Sequence, residues 1–317
     1  MCAITGFLNY DHKIPHHVLL HLVKALTVAA ECRGTDATGI SYVNNGEMVT
    51  YKKPKPAHKL KFRFPQNTTT VICHTRMATQ GSELHNYNNH PFEGMADKPF
   101  SLCHNGCIHN DTELRKQHNL PESKIETDSY VAVQLLEEQR SISFESIKTM
   151  AEELLGSYTF SILDADNTLW LVKGSNPLYL VHFPDLQLFA YASTQEIMNK
   201  ALKTTHLKKF RHTVIETTEG DIIRMDRYGN IQRGQFTPKE DDWHNLRWFG
   251  SSLCGWNHKH EDDTFDNSYA ALIELCGYYG VEEDDVIYLL EMGYSLSEIE
   301  EFIVNPSLLD EVFAEGY

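Results

Sequence analysis

The sequence predicts an α+β fold built in layers, followed by a small α-helical segment. Three observations carry this. Over the first 237 residues, short apolar or β-branched runs alternate with helix-like runs, with many strands to few helices. After Phe236 that texture stops, and the chain becomes polar and turn-rich, then helical. A length of 317 residues, 41% of them hydrophobic, can bury one large core with an appendage, or two cores.

The elements follow in order. Cys2–Leu8 reads as a strand, and 18–30 as a helix with Leu19, Leu22, Val23 and Leu26 at helical spacing. Strands are expected at 40–43 and 47–51, at the β-branched run 70–73 and at the apolar run 100–103. Helices fit 127–139, opened by a Thr127-Asp128 cap signal, and 144–154. Strands follow at 158–164, 169–172, 178–182 and 186–191, then a helix at 194–202 and strands at 213–215 and 221–225. Residues 237–268 set Trp243, Trp248 and Trp256 among Gly, Ser, Asn and Asp. Short helices are expected at 269–279, 283–291, 297–304 and 307–314, separated by Gly280, Gly293 and Pro306. The boundary falls at 237, giving domains 1–237 and 238–317.

Charge is unevenly placed. The net charge is −16, and residues 238–317 carry 19 acidic against 3 basic side chains, so they hold the whole imbalance. That argues against nucleic acid as a ligand of this segment and suits either a basic partner surface or a solubilising face. No run approaches the ~20 apolar residues of a membrane span, and the first residues lack a signal-peptide pattern. Seven cysteines without framework spacing fit a reducing compartment, so a soluble, cytoplasmic protein is expected.

Four segments can carry chemistry. Cys2 follows the initiator methionine; if Met1 is removed, one residue holds both a thiol nucleophile and an α-amine titrating near roughly 8. His74-Thr75-Arg76-Met77-Ala78-Thr79-Gln80-Gly81 follows one strand, His104-Asn105-Gly106 follows another, and Thr127-Asp128-Ser129 opens a helix. Together they suit an amino-acid amide. A guanidinium (Arg76) binds an α-carboxylate bidentately, and a carboxylate (Asp128) binds an α-ammonium. The Asn105 amide and the Gly106 N–H can hold an oxyanion. Each has an ordinary alternative: Arg76 a surface ion pair, Asn105-Gly106 a hairpin turn, Asp128 a helix cap.

Taken in order, the segments resemble the class II, or N-terminal-nucleophile, glutamine amidotransferases over about residues 2–226. That family opens Met-Cys-Gly-Ile-x-Gly, here with Ala3 as third residue. Its His-Thr-Arg-Trp/Tyr-Ala-Thr-x-Gly loop is matched at 74–81 except at Met77. Arg33-Gly34-Thr35-Asp36-Ala37-Thr38-Gly39, Asn88-Asn89-His90-Pro91, His104 through Asn110 and Thr127-Asp128-Ser129 match further motifs. Later echoes are Gly156-Ser157-Tyr158, Gly174-Ser175-Asn176-Pro177-Leu178, Ala192-Ser193 and Glu219-Gly220-Asp221.

The resemblance implies a four-layer αββα N-terminal-nucleophile sandwich and hydrolysis of the glutamine side-chain amide. Cys2 is implied as the nucleophile, with its own α-amine as base; Asn105 and Gly106 hold the oxyanion. Arg76, Thr79 and Asp128 are implied as the substrate contacts, and Arg33 and His74 as organisers of the site. Ala3 adds a methyl beside the nucleophile, and Met77 replaces an aromatic at the pocket edge; neither removes a catalytic group.

Weaker signals remain. Cys103, His104, Cys107 and His109 cluster, as do Cys254, His258 and His260, without clean zinc spacing. There is no Walker loop and no dinucleotide fingerprint, so neither metal nor cofactor is expected. Residues 289–296 loosely resemble the Met-Gly-Phe/Tyr loop of ubiquitin-associated modules, a pattern any helix–Gly–helix turn produces. The family commonly carries an acceptor domain, and about 80 residues are too few for one. The expectation is therefore a separate acceptor or synthase protein docking on the acidic segment. A catalytically silent glutamine sensor and an amidohydrolase of another amide are the rivals.

Overall fold

The computed structural model describes residues 2–239 together with Val281, Val286, Leu289, Ile299, Phe302 and Ile303. In chain order the elements begin β1 (Ala3–Asn9), α1 (His16–Ala29), β2 (Ala37–Asn44), β3 (Glu47–Lys53), β4 (Thr70–Arg76), β5 (Phe92–Met95) and β6 (Pro99–Ile108). Next come α2 (Asp111–Gln117), α3 (Tyr130–Gln139), α4 (Phe144–Glu153), β7 (Gly156–Asp164), β8 (Leu169–Lys173) and β9 (Tyr179–Phe183). The last are β10 (Leu188–Ala192), α5 (Gln195–Thr204), β11 (Thr213–Ile215), β12 (Asp221–Met225) and β13 (Ile231–Gln235).

The strands form two antiparallel sheets: a seven-stranded one ordered β11-β9-β10-β1-β4-β2-β3 and a six-stranded one ordered β13-β12-β8-β7-β6-β5. Three apolar clusters define the layers. α1 and α5 pack Leu22, Leu26, Ile197 and Met198 on Ala3, Phe7, Ile40 and Val71 of the first sheet. α2, α3 and α4 pack Leu114, Leu135 and Ile147 on Phe100, Phe160 and Val172 of the second. Ile4, Leu8, Ile72, Leu171 and Ile223 fill the space between the sheets. The result is an αββα sandwich. Central strand β1 has a layer on each face, so all its residues are buried, Thr5 and Asn9 included.

Three elements were not legible as patterns. β13 is an exposed edge strand without an apolar face, β5 has four residues, and α2 buries only Leu114. The predicted helix at 127–139 starts later. Ser129 occupies the cap position of α3 without a side-chain cap bond, so Thr127-Asp128 does not cap it; the Asp128 carboxylate is engaged elsewhere.

The chain divides into two compact units, Met1–His244 and Asn245–Tyr317. In the second, Val286, Leu289, Ile299, Phe302 and Ile303 are helical, and all but Phe302 are buried. The tryptophans at 243, 248 and 256, the Cys254, His258 and His260 cluster and the 290–296 loop lie outside the described residues. Among the described residues no helix is long and apolar enough to cross a membrane.

Candidate active site

Side chains alternate faces along a strand, and this brings His74, Arg76 and Asn105 to the space between the sheets. In β4 the even positions Ile72, His74 and Arg76 share a face, and Ile72 places that face against the second sheet. In β6 the odd positions Ser101, Cys103 and Asn105 share the opposing face, and Cys103 belongs to the inter-sheet cluster. Bonds that cross the gap include Ser101 Oγ donating to Ser41 Oγ at 2.8 Å and His74 Nε2 donating to the His104 carbonyl at 2.8 Å.

Cys2 stands at the head of β1. The β1–β4 register pairs Ala3 with Thr75 and Ile4 with His74, so one further step sets Cys2 level with Arg76. The residue as a whole is partly exposed, and its thiol donates to the Met77 carbonyl at 3.5 Å. Burial pushes the thiol above its ordinary range; the Arg76 guanidinium opposes this and the Asp128 carboxylate adds to it. Both charges therefore act on the sulfur. Arg33 Nε donates to the Cys2 carbonyl at 2.9 Å. The next residue must be small: a Cβ on Gly34 would lie 2.4 Å from the Arg76 carbonyl carbon.

Arg76 is 3% exposed. Its Nη1 donates to Asn89 Oδ1 at 2.8 Å, and its Nη2 to the Gln80 and Gly81 carbonyls at 2.6 and 2.7 Å. These bonds use three of the five N–H donors of a guanidinium and fold the loop after β4 back on it. Thr79 is exposed in that loop. Asp36 Oδ2 accepts from the Ala78 N–H at 2.7 Å and anchors the same turn. Asp128 is buried; Oδ2 accepts from the Ile108 N–H at 2.6 Å and Oδ1 from Ser129 Oγ at 3.3 Å. Each carboxylate oxygen keeps acceptor capacity.

Asn105 and Gly106 are not in a hairpin turn. They lie inside β6, paired with Thr159 and Tyr158 of β7. Asn105 is fully buried, and among the described residues neither its Oδ1 nor its Nδ2 has a hydrogen-bond partner. A buried, unpaired amide is costly and needs an explanation. Gly106 has φ +147°, and a Cβ there would fall 1.9 Å from the Ser157 carbonyl oxygen, so this position admits only glycine.

Sequence reasoning missed two supporting residues. Asn89 holds Arg76, and Asn176 Nδ2 donates to the Asn105 carbonyl at 3.0 Å. Both lie in segments matched as motifs, Asn88–Pro91 and Gly174–Leu178, but nothing in their spacing names a partner. Two surface cavities, of about 380 and 410 Å³, lie elsewhere; one is lined by Lys52, Asn86 and Glu93, the other by Trp170, Arg224 and Tyr228. Among the described residues no group of three or more His, Cys, Asp or Glu is arranged to hold a metal ion.

Comparison with known proteins agrees with this geometry. The profile of a family described as "Glutamine amidotransferase domain" matches residues 74–200. Glutamine–fructose-6-phosphate aminotransferase (isomerizing) of Staphylococcus aureus strain Mu50 is 31% identical over 245 residues, covering 73% of this chain and 38% of that protein. The enzyme of the same name from Bacillus cereus is 31% identical over 259 residues, covering 76% and 40%. The match thus spans well under half the length of these relatives. Among solved structures, glutamine phosphoribosylpyrophosphate amidotransferase from B. subtilis superposes with a TM-score of 0.57 at 18% identity, covering 74% of this chain and 49% of that one, a likeness of fold. Sequence, topology and motif order agree, and the chain carries a class II, N-terminal-nucleophile glutamine amidotransferase domain.

Proposed function

We propose that residues 1–237 hydrolyse the side-chain amide of glutamine to glutamate and ammonia. With Met1 removed, the Cys2 thiol attacks the amide carbon and its proton passes to the Cys2 α-amine, in the manner of other N-terminal nucleophiles. Asn105 Nδ2 and the Gly106 N–H hold the oxyanion. Collapse of that intermediate breaks the C–N bond; the leaving nitrogen takes the proton and departs as ammonia, leaving a glutamyl thioester. Water then adds to the thioester carbonyl and releases glutamate and the thiol. Arg76 grips the α-carboxylate with its remaining donors, Asp128 the α-ammonium, and Thr79 lines the loop over them. Arg33 and His74 organise the site without touching substrate.

The observation that carries this reading is the Asn105 amide: fully buried, without a partner among the described residues, and on the face of β6 that meets β4. An oxyanion gives that amide the partner that the described residues do not. Glutamine amide hydrolysis coupled to ammonia transfer is the general chemistry of the domain family. The finer reading is that ammonia passes to an acceptor on a separate protein, docked on residues 238–317, whose net charge of −16 suits a basic surface.

The test is glutamate release from glutamine by protein of mass-verified N-terminus, beside Cys2→Ala. Turnover that disappears in Cys2→Ala supports the reading. No turnover with a free Cys2, alone and with candidate acceptors, would favour a glutamine-sensing protein. Removal of 240–317 is expected to abolish acceptor binding and spare hydrolysis.

A further inference from the structure

Lys52 stands outside every motif discussed so far, yet it is built into the support of Arg76. It lies on β3, opposite Gly39 of β2, which in turn lies opposite His74 of β4. The chain at His90–Pro91 crosses directly over this row: a Cβ on Gly39 would lie 2.2 Å from the His90 carbonyl oxygen and 2.7 Å from Pro91 Cδ. On one side the His90 ring stacks on His74 with centroids 4.2 Å apart. On the other, Lys52 Nζ donates to the Asn89 carbonyl at 2.5 Å and the Pro91 carbonyl at 2.9 Å, with the Phe92 ring 5.0 Å away. Asn89, held at its carbonyl by Lys52, presents Oδ1 to Arg76 Nη1 at 2.8 Å and Nδ2 to the Glu83 carbonyl at 2.7 Å.

A lysine so placed is costly. Its ammonium is engaged with main-chain carbonyls and an aromatic ring, and burial lowers its pKa to about 8. If Lys52 only covered an edge strand, an apolar or exposed side chain would serve better. What the cation achieves is a fixed place for the carbonyls of Asn89 and Pro91, one on either side of His90, and hence for the Asn89 side chain. A guanidinium recognises a carboxylate only in a narrow planar geometry.

We propose that Lys52 is a positioning residue for glutamine: by clasping the Asn89–Pro91 segment it sets the Arg76 guanidinium for the substrate α-carboxylate. The inference rests on the glutaminase reading. Its effect falls on binding of one end of the substrate and not on the chemistry at Cys2.

The experiment compares wild type with Lys52→Met, which keeps the apolar stem and loses the charge, and Lys52→Arg, which keeps the donors. Lys52→Met is expected to raise KM for glutamine about tenfold with kcat within about twofold, as for loss of uniform binding. Lys52→Arg is expected to restore most of it. 4-Aminobutanamide, which is glutamine without its α-carboxylate, is expected to give the same kcat/KM in wild type and Lys52→Met. Unchanged KM for glutamine, or equal loss on both amides, overturns the proposal. Asn89→Leu cuts the same chain at Arg76 and is expected to show the same split; if Lys52→Met does not fold, an unchanged KM in Asn89→Leu overturns it. Should wild type not hydrolyse glutamine, the glutaminase reading fails separately. Calorimetric L-glutamine binding then decides: about tenfold weaker Kd in Lys52→Met supports the positioning role, and an equal Kd or no binding to wild type overturns it.

Discussion

His74 in β4 donates from Nε2 to the main-chain carbonyl of His104 in β6 at 2.8 Å, so one imidazole joins the two sheets two residues before Arg76. Burial is the main reason that His74 is held neutral, with its pKa lowered to about 3. His90, stacked on it, lies well below the ordinary imidazole range, and His104 is lowered as well, both chiefly by burial.

These three groups set an acid limb. An unfolded chain takes up protons on histidine near pH 6.5, whereas the folded one resists. Their contribution to stability is therefore complete above pH ~6.5 and falls as pH drops towards the folded values. Urea unfolding is expected to show a midpoint that decreases steadily from pH 6.5 to 5. Each such group contributes a slope of up to about 1.4 kcal/mol per pH unit. His90→Leu removes one of the three and is expected to flatten that slope. An identical slope in His90→Leu and wild type would show that His90 already titrates in the folded protein.

His118 has the opposite sign. Its Nδ1 meets Glu138 at 2.7 Å and its Nε2 meets Glu153 at 2.5 Å, tying the residue after α2 to α3 and α4. Some burial works against the charged ring, but the two carboxylates outweigh it and raise the pKa. The stabilisation is present in full below the unfolded value of about 6.5 and is lost as pH rises through the raised folded value. His118→Gln is thus expected to destabilise more at pH 6 than at pH 8.5. The difference should not exceed about 1 kcal/mol, because the carboxylates are partly open to solvent. Equal destabilisation at both pH values would mean that the ion pairs contribute nothing.

Gly106 is required by the geometry of β6 and β7. Its φ of +147° and the 1.9 Å approach of the Ser157 carbonyl leave no room for a methyl. Gly106→Ala must either distort its backbone or part β6 from β7. It is expected to cost at least about 2 kcal/mol in urea unfolding and to reduce glutamine hydrolysis with it. Gly46→Ala serves as the comparison: it also has positive φ, but its Cβ would meet nothing within 4 Å. Only the smaller backbone cost is expected there. Equal losses at the two positions would place the whole effect in φ and none in the contact with β7.

How much of this was legible in the sequence depends on which interaction places each residue. Leu19, Leu22, Val23 and Leu26 of α1 follow the helical period, and all four are buried. Cys2, Arg76, Asn105 and Asp128 were nominated by residue type and motif order, and alternation along β4 and β6 explains why two of them share a space. What remained hidden depends on long-range pairing. Lys52 and Asn89 are 37 positions apart and meet because Gly39 lets one segment cross another. The Thr127-Asp128 cap signal failed because the Ile108 N–H competes for the same carboxylate. An exposed edge strand such as β13 has no buried face to leave a period.

Asn105 separates stability from function. Its amide is fully buried without a partner among the described residues, so the folded chain bears a desolvation cost at this position. Asn105→Leu removes both unpaired atoms at similar volume. It is expected to leave stability unchanged or to raise it by about 1 kcal/mol, as often happens when a functional polar group is replaced by an apolar one. If the amide holds the oxyanion, the same substitution is expected to lower kcat about 10²- to 10³-fold with little change in KM, because the interaction forms only as charge develops on the attacked oxygen. Urea unfolding and steady-state hydrolysis on one preparation measure both. A variant that loses stability while keeping kcat would assign Asn105 to the core, and the search for the oxyanion donor would return to the main-chain N–H groups around Gly106. A stabilised variant with lost turnover would mean that the strain of an unpaired amide is maintained at this point in β6 for the transition state.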